Sequence, residues 1–348
     1  MKTRSQQNAV SNRSSRILRL PWLLIILAFV FGAGSVWSVR TFFGQKSESD
    51  PVALREIGTE GYHFIHPLLA MQDKKEFLEN KEFESKLLAV IQDFHSQDST
   101  TSASVYFRDP ELGRWFGIDE YEKFSPASLY KVIVMIAYLK QAESDPQVLS
   151  QQIEFSSPSL LGDSPDTPPA ERIKANTPYT VNSLFPLMII YSDNNALNLL
   201  DGNLNPNSLK EVYTDLGFPV PDVKDRGDTM TAKAYALILR VLYNATYLNR
   251  PHSEEVLNLL SKSTFTDGLV AGVSPGTVVA HKFGYRLLGN SAPGTPSQEL
   301  HDCGIIYYPG HPYILCVMTK GNDHKNLRKL IRNISRATYE EVSRQYPQ

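Results

Sequence analysis

Apolar residues recur along this chain with two different periods, and the switches between them divide it into blocks. From about Lys74 to His95 the residues Leu78, Leu87, Leu88, Ile91 and Phe94 fall at helical spacing. Two short strand-like runs follow, Ala103 to Arg108 and Arg114 to Ile118. The turn-forming stretch Asp109-Pro110-Glu111-Leu112-Gly113 joins them, so the pair reads as a hairpin. The run from Val132 to Leu139 is apolar throughout and predicts a helix entered at Pro126, because proline lacks an N–H that the first turn would leave unpaired anyway. From about Phe155 to Pro178 the chain reads as loop. Thr180 then reads as the N-cap of a helix through Val181, Leu184, Leu187 and Met188, and a second helical run passes through Leu197 and Leu200. Gly217 to Asp228 is irregular. Thr229 or Thr231 starts the next helix, through Tyr235, Leu239 and Leu242, and another runs from about Glu254 to Lys262. Strand character returns at Val278 to Lys282, Gly304 to Tyr308 and Tyr313 to Thr319. The last segment, about Asn322 to Tyr346, is helical by Leu327, Leu330, Ile331, Ile334 and Thr338.

The order is helix, two strands, a block of helices, three strands, helix. Such an order predicts an α+β fold. Strands from both ends close one antiparallel sheet, the two terminal helices flank it, and the central block, about residues 125–262, forms a helical lobe. A binding site would then lie in the cleft between lobes. The N-terminal region has a different character. Residues 1–19 are basic through Lys2, Arg4, Arg13, Arg16 and Arg19, and no charge then occurs from Leu20 to Val39. About 20 uncharged, mostly apolar residues suffice to cross a bilayer. Basic residues ahead of them predict a cytoplasmic N-terminus and an extracytoplasmic remainder. The expectation is therefore a transmembrane helix at 20–39, a single pass in the plasma membrane, with a cleaved signal peptide as the alternative. Residues 41–72 read as a linker with Tyr62 and Phe64 as docking aromatics, and 73–348 as the folded domain.

Composition narrows the function. With 42% hydrophobic and 21% charged residues and a net charge of −2, the chain is globular and gives no electrostatic case for nucleic acid. The eight histidines show no metal-ligand spacing, and no Gly-x-Gly-x-x-Gly or phosphate-binding loop is present, so neither metal nor cofactor is expected. The two cysteines, Cys303 and Cys316, flank a predicted hairpin. Two buried free thiols are the expectation, with one bridge as the alternative. His281 reads as a sheet histidine with a local partner, and Tyr307, Tyr308 and Tyr313 as sheet packing.

Three short motifs carry chemistry. Ser128 and Lys131 stand three apart, so on a helix they share a face, and a lysine amine one turn from a serine hydroxyl can take up its proton. Ser192-Asp193-Asn194 lies between two predicted helices, and Lys282-Phe283-Gly284 lies on a predicted strand.

In that order the three resemble the Ser-x-x-Lys, Ser-Asp-Asn and Lys-Thr-Gly set of class A β-lactamases and penicillin-binding proteins. The resemblance runs from about Lys74 to the end and includes Tyr179-Thr180-Val181 and Asp225-Arg226-Gly227-Asp228-Thr229. It implies a β-lactamase/transpeptidase-like fold and an acyl-enzyme mechanism. Ser128 would attack the amide carbonyl, and Lys131 would manage its proton. Ser192 would relay a proton to the leaving nitrogen. Asn194 would hold Lys131 and bind the substrate amide. Lys282 would meet the substrate carboxylate. Gly284 would let the strand approach the ligand. The backbone N–H groups of Ser128 and Tyr285 would form the oxyanion hole.

Two departures stand out. Phe283 replaces the usual Thr or Ser, which removes a hydroxyl and puts a ring either beside the cleft or in the core. The Glu-x-x-Leu-Asn element that supplies the deacylating base in β-lactamases is absent between Ser192 and Asp228. Asp215 is nearest to it in register, and Asp228 reads as a loop-pinning residue. The expected activity is β-lactam hydrolysis, slow in deacylation. The alternatives are a D,D-peptidase on peptidoglycan stem peptides and a non-catalytic binding or sensing domain. The expected partners are a small-molecule β-lactam or peptidoglycan peptide and the membrane, with the protein a monomer.

Overall fold

The computed structural model describes residues 53–55, 61–71, 81–155, 172–220, 229–289 and 294–347. The predicted membrane helix at 20–39 and the basic tail before it lie outside these. Among the described residues no helix is long and apolar enough to cross a membrane.

The first strands, β1 (Ala53–Arg55) and β2 (Leu68–Met71), pair antiparallel with each other. Between them, backbone N–H groups of His63, Phe64 and Ile65 all donate to the Glu254 carboxyl, at 2.5 to 3.1 Å. The Phe64 ring meets Tyr307 edge-on at 5.5 Å, and Tyr62 packs against the core. The segment read as a linker is thus pinned to the domain at residues 62–65.

A five-stranded antiparallel sheet forms the centre. It comprises β3 (Ser102–Arg108), β4 (Trp115–Ile118), β7 (Val279–Leu287), β8 (Gln298–Ile306) and β9 (Tyr313–Gly321), in the order β4-β3-β9-β8-β7. Strands from both ends of the chain meet where β3 pairs β9, with Val105 opposite Val317. Both faces are covered, which the alternation in β9 records. Leu315 and Val317 join a core made with α1 (Lys81–Gln97) and α8 (His324–Gln345), through Phe83, Leu87, Leu327 and Ile331. Ile314, Cys316 and Met318 face the other core, built with the helical lobe.

That lobe is organised around α2 (Tyr130–Ala142), in which every residue from Lys131 to Leu139 is buried. A helix apolar on all sides is an interior helix. Two short strands that the sequence does not predict, β5 (Gln152–Phe155) and β6 (Thr177–Thr180), pair beside it at the two ends of the stretch read as loop. Around it lie α3 (Val181–Ile189), α4 (Asn194–Asn203), α5 (Pro206–Asp215), α6 (Ala232–Tyr243) and α7 (Arg250–Leu260). Thr180 caps α3 as expected, its hydroxyl accepting from Ser183 N–H, and Thr231 rather than Thr229 caps α6. Helix α7 starts four residues before the predicted Glu254, because Asn249 caps it and Pro251 occupies its first turn.

Two expectations are corrected. Cys303 and Cys316 are not free thiols. They face each other across β8 and β9 and form a disulfide. Direct opposition in an antiparallel pair brings the Cα atoms to 3.9 Å, which the flanking-hairpin reading allowed but did not require. Alkylation of the denatured chain without reductant is expected to label neither cysteine, and two labels by mass would refute the bridge. The second correction concerns β8, which begins at Gln298, six residues before the predicted Gly304. Its first half is polar in sequence yet buried: Gln298, Glu299, His301 and Asp302 are each under a tenth exposed. Hydrophobic periodicity cannot find such a strand, since its side chains bury by pairing with other polar groups.

Candidate active site

Ser128 sits in a single 3₁₀ turn, Ala127–Leu129, that leads directly into α2. Lys131 is one turn further on, and burial in the lobe forces its amine to find polar company. The amine lies 3.0 Å from Ser128 Oγ, 2.6 Å from the Ser192 carbonyl oxygen, 3.0 Å from Ser192 Oγ and 2.8 Å from Asn194 Oδ1. A carbonyl and an amide oxygen can only accept, so two N–H directions of Lys131 are committed to Ser192 and Asn194. The remaining position of the nitrogen faces the hydroxyls. As a free amine it holds a lone pair there, which can receive the Ser128 proton.

Ser192 reaches this point through a strained turn. Its φ of 56° lies in the left-handed region, which costs a non-glycine residue about 1–3 kcal/mol. Asp193 then caps α4, its carboxyl accepting from Asn195 and Ala196 N–H at 2.7 and 3.0 Å. The cap fixes the turn that carries Ser192 and Asn194, a role the sequence reading left unassigned.

Lys282 enters from β7. It is fully buried, and its amine donates to Ser192 Oγ at 2.9 Å and to the Phe283 carbonyl at 3.3 Å. Ser192 therefore stands between two amines. Burial, then the nearby Lys131 charge, push the Lys282 pKa well below the usual lysine value, against a smaller opposing pull from Asp302. The folded state thus binds fewer protons than the unfolded chain at pH values below about 10.5, the ordinary lysine value. Stability conferred by Lys282 rises with pH across that window and falls as pH drops through the folded value. Chemical unfolding of wild type and Lys282→Met as a function of pH checks this. The wild type is expected to gain stability relative to the variant on going up in pH, and parallel profiles would refute it.

Phe283 resolves the alternative left by the sequence. Its ring is in the core, 1% exposed and stacked on Phe265 at 4.4 Å. One face still lies 4.3 Å from the Lys282 amine, so this cation rests on a ring where the resembling family carries a hydroxyl.

Gly284 is required by space. A Cβ there would stand 3.0 Å from the Pro126 carbonyl oxygen and 3.3 Å from both Ala127 Cβ and Ser128 N. Strand β7 therefore runs against the turn that carries Ser128. Tyr285 follows on the same strand, opposite Leu300 in β8, with its hydroxyl donating to Gln298 Oε1 at 3.2 Å.

The sheet also grips the residue three before Ser128, which sequence reasoning missed. Ser125 N–H donates to Glu299 Oε2 at 3.1 Å, and its carbonyl lies 2.9 Å from His301 Nε2. Its hydroxyl accepts from Arg286 at 2.5 Å. The buried polar half of β8 thus holds the turn that leads to Ser128. Nearby, His281 Nδ1 meets Asp302 Oδ1 at 2.7 Å, the local partner expected of a sheet histidine, and Asp302 Oδ2 accepts from Leu269 N–H at 2.8 Å.

The structure brings Ser128, Lys131, Ser192, Asn194, Lys282 and Gly284 together, from three separate stretches of chain. No carboxyl among the described residues is hydrogen-bonded to Ser128 Oγ or Ser192 Oγ. Asp215 instead accepts from the Tyr247 hydroxyl at 3.0 Å, and Asp228 lies outside the described residues.

A family model described as "Beta-lactamase enzyme family" matches residues 82–342. The chain belongs to the beta-lactamase enzyme family. Among curated members of the family, it is 30% identical to beta-lactamase L2 of Stenotrophomonas maltophilia over 227 residues, which is 61% of this chain and 71% of that protein. It is 29% identical to beta-lactamase CTX-M-8 of Citrobacter amalonaticus over 212 residues, 56% of this chain and 68% of that protein. Solved structures share the fold. PBP-A matches with a TM-score of 0.63 at 20% identity, over 78% of this chain and 99% of PBP-A. A class A beta-lactamase from Mycobacterium abscessus matches with a TM-score of 0.62 at 24% identity, over 75% of this chain and 99% of that one. The β-lactamase/transpeptidase-like α+β fold and a hydrolase of this family follow.

Proposed function

We propose that this protein is a serine hydrolase that forms an acyl-enzyme at Ser128 with β-lactams and clears it slowly. One observation carries the reading: the Ser128 and Ser192 hydroxyls share the Lys131 amine, at 3.0 Å each, and Lys282 holds Ser192 from the other side at 2.9 Å. In the first step the Ser128 proton passes to Lys131 as Oγ attacks the carbonyl. Ser192, donating to the leaving nitrogen, is resupplied by the flanking amines. The N–H groups of Ser128 and Tyr285 receive the developing oxyanion, and one such donor typically contributes about 3–4 kcal/mol in the transition state. Asn194 holds Lys131 and meets the substrate amide, and Lys282 meets its carboxylate.

Slow clearance rests on the missing Glu-x-x-Leu-Asn element. A mutant of the fold relative PBP-A is known as an acyl-enzyme complex with penicillin G. The same absence favours a second reading, a D,D-peptidase acting on peptidoglycan stem peptides by the same acyl chemistry. The apolar stretch 20–39 would anchor the protein in the plasma membrane with this domain outside, where both substrates are found.

Intact-mass spectrometry of the protein with penicillin G over time tests the proposal. A covalent adduct that forms quickly and outlasts many multiples of its formation time is expected. Rapid multiple turnover without an accumulating adduct would overturn slow clearance. No adduct at all would support a binding or sensing domain. Release of D-alanine from a D-Ala-D-Ala peptide would select the peptidase.

A further inference from the structure

Side chains alternate along a strand, so Lys282, Gly284 and Arg286 of β7 share one face. Their contacts show which face it is. The Lys282 amine reaches Ser192 Oγ, Gly284 abuts the turn that carries Ser128, and Arg286 Nη1 donates to Ser125 Oγ at 2.5 Å. Successive residues on such a face stand about 7 Å apart along the strand. The face thus passes Ser128 with one cation on either side of it.

The two cations are in different situations. Lys282 is fully buried, and its amine is engaged by Ser192 and by the Phe283 carbonyl. Arg286 is exposed. The Ser125 hydroxyl is its hydrogen-bond partner, and no carboxyl among the described residues lies within ion-pair distance of it. Glu299 stands opposite it across the β7–β8 pair, but the Glu299 carboxyl accepts from Ser125 N–H at 3.1 Å and lies 3.8 Å from His301 Nε2. The stretch from Leu287 to Gln298, which closes the hairpin beside Arg286, contains neither Asp nor Glu. One hydroxyl occupies one of the five N–H directions of a guanidinium. Fastening Ser125 therefore calls for a donor but not for a charge. What Arg286 adds is a permanent, solvent-facing cation on the face that passes Ser128.

We propose that Arg286 selects substrates that carry a second carboxylate on the acyl side of the scissile amide. This selection rests on acylation of Ser128 as proposed above. There the leaving nitrogen lies at Ser192, beside Lys282, and the oxyanion at the Ser128 and Tyr285 N–H groups. The acyl substituent leaves the carbonyl carbon on the side opposite the leaving nitrogen, so it extends past Gly284 toward Arg286. Lys282 receives the carboxylate on the leaving-group side, and Arg286 receives one on the acyl side. A guanidinium can meet that carboxylate through two parallel N–H bonds. Arg286 thus determines specificity without taking part in the proton transfers.

Penicillin G and carbenicillin test this, since carbenicillin is penicillin G with a second carboxylate on its acyl side chain. The measurement is the second-order rate constant for ring opening by the full-length chain, which reports acylation whether or not the adduct accumulates. The ratio of carbenicillin to penicillin G is expected to fall about fivefold in Arg286→Gln, the scale of an exposed ion pair, and further in Arg286→Glu. In the wild type the same ratio is expected to fall as salt is raised from about 0.05 M to about 0.5 M. A variant that only loosens the Ser125 turn slows both compounds alike. An unchanged ratio in Arg286→Gln would therefore overturn the proposal, as would a wild-type ratio indifferent to salt. Neither result would touch acylation at Ser128. Absence of ring opening and of adduct with both compounds would overturn that acylation, and the role of Arg286 with it.

Discussion

Ser128→Ala is expected to abolish the penicillin adduct and to lower the acylation rate by roughly 10⁴-fold or more, because alanine carries no nucleophilic oxygen and a nucleophile acts as a unit with its base. The expectation is specific to the geometry. The Ser192 hydroxyl lies at the same 3.0 Å from the Lys131 amine as Ser128 Oγ does, so distance to the base alone does not say which serine attacks. Two features decide it. Ser128 lies at the entrance to α2, against the edge strand β7 at Gly284. Ser192 is held by a second amine, Lys282, and is placed to donate rather than to attack. Peptide mapping of the acylated protein locates the adduct. Modification of Ser192, or an undiminished adduct in Ser128→Ala, would exchange the two roles.

Asp302→Ala is expected to destabilise the protein by about 3–5 kcal/mol. The substitution strips the buried His281 of its partner and leaves the Leu269 N–H without an acceptor. For a domain of this size the loss corresponds to a fall of roughly 6–15 °C in Tm. Asp302→Asn keeps an acceptor oxygen and is expected to lose less. The carboxyl also packs directly against Gly268, where an added Cβ would collide with it. Thermal unfolding of the three proteins measures the effect, and a Tm for Asp302→Ala close to the wild type would remove the buried pair from the account of stability.

Much of the fold was legible because its signals are local. The helix after Pro126 announces itself by an apolar run, α3 by its Thr180 cap, and the β3–β4 hairpin by the turn between two strand-like runs. Elements without such signals were lost. Strand β8 begins with buried Gln298, Glu299, His301 and Asp302, whose burial depends on partners in Ser125, His281, Leu269 and Asn322. Strands β5 and β6 are four residues each, too short for a period to register. The disulfide depended on register, because only direct opposition of Cys303 and Cys316 across two strands brings the sulfurs together.

The amino-acid sequence by itself determined which chemical groups are available: a hydroxyl three residues from an amine, a Ser-Asp-Asn turn, and a lysine before a glycine on a strand. It determined also the α+β order that allows distant segments to meet. Only the tertiary structure decided that Ser192 sits between two amines, that the Phe283 ring packs on Phe265 while touching Lys282, and that β8 grips Ser125. Helical and strand periods act over a few residues. Hydrogen bonds between side chains sixty to almost two hundred positions apart exist only once both cores have closed around the sheet.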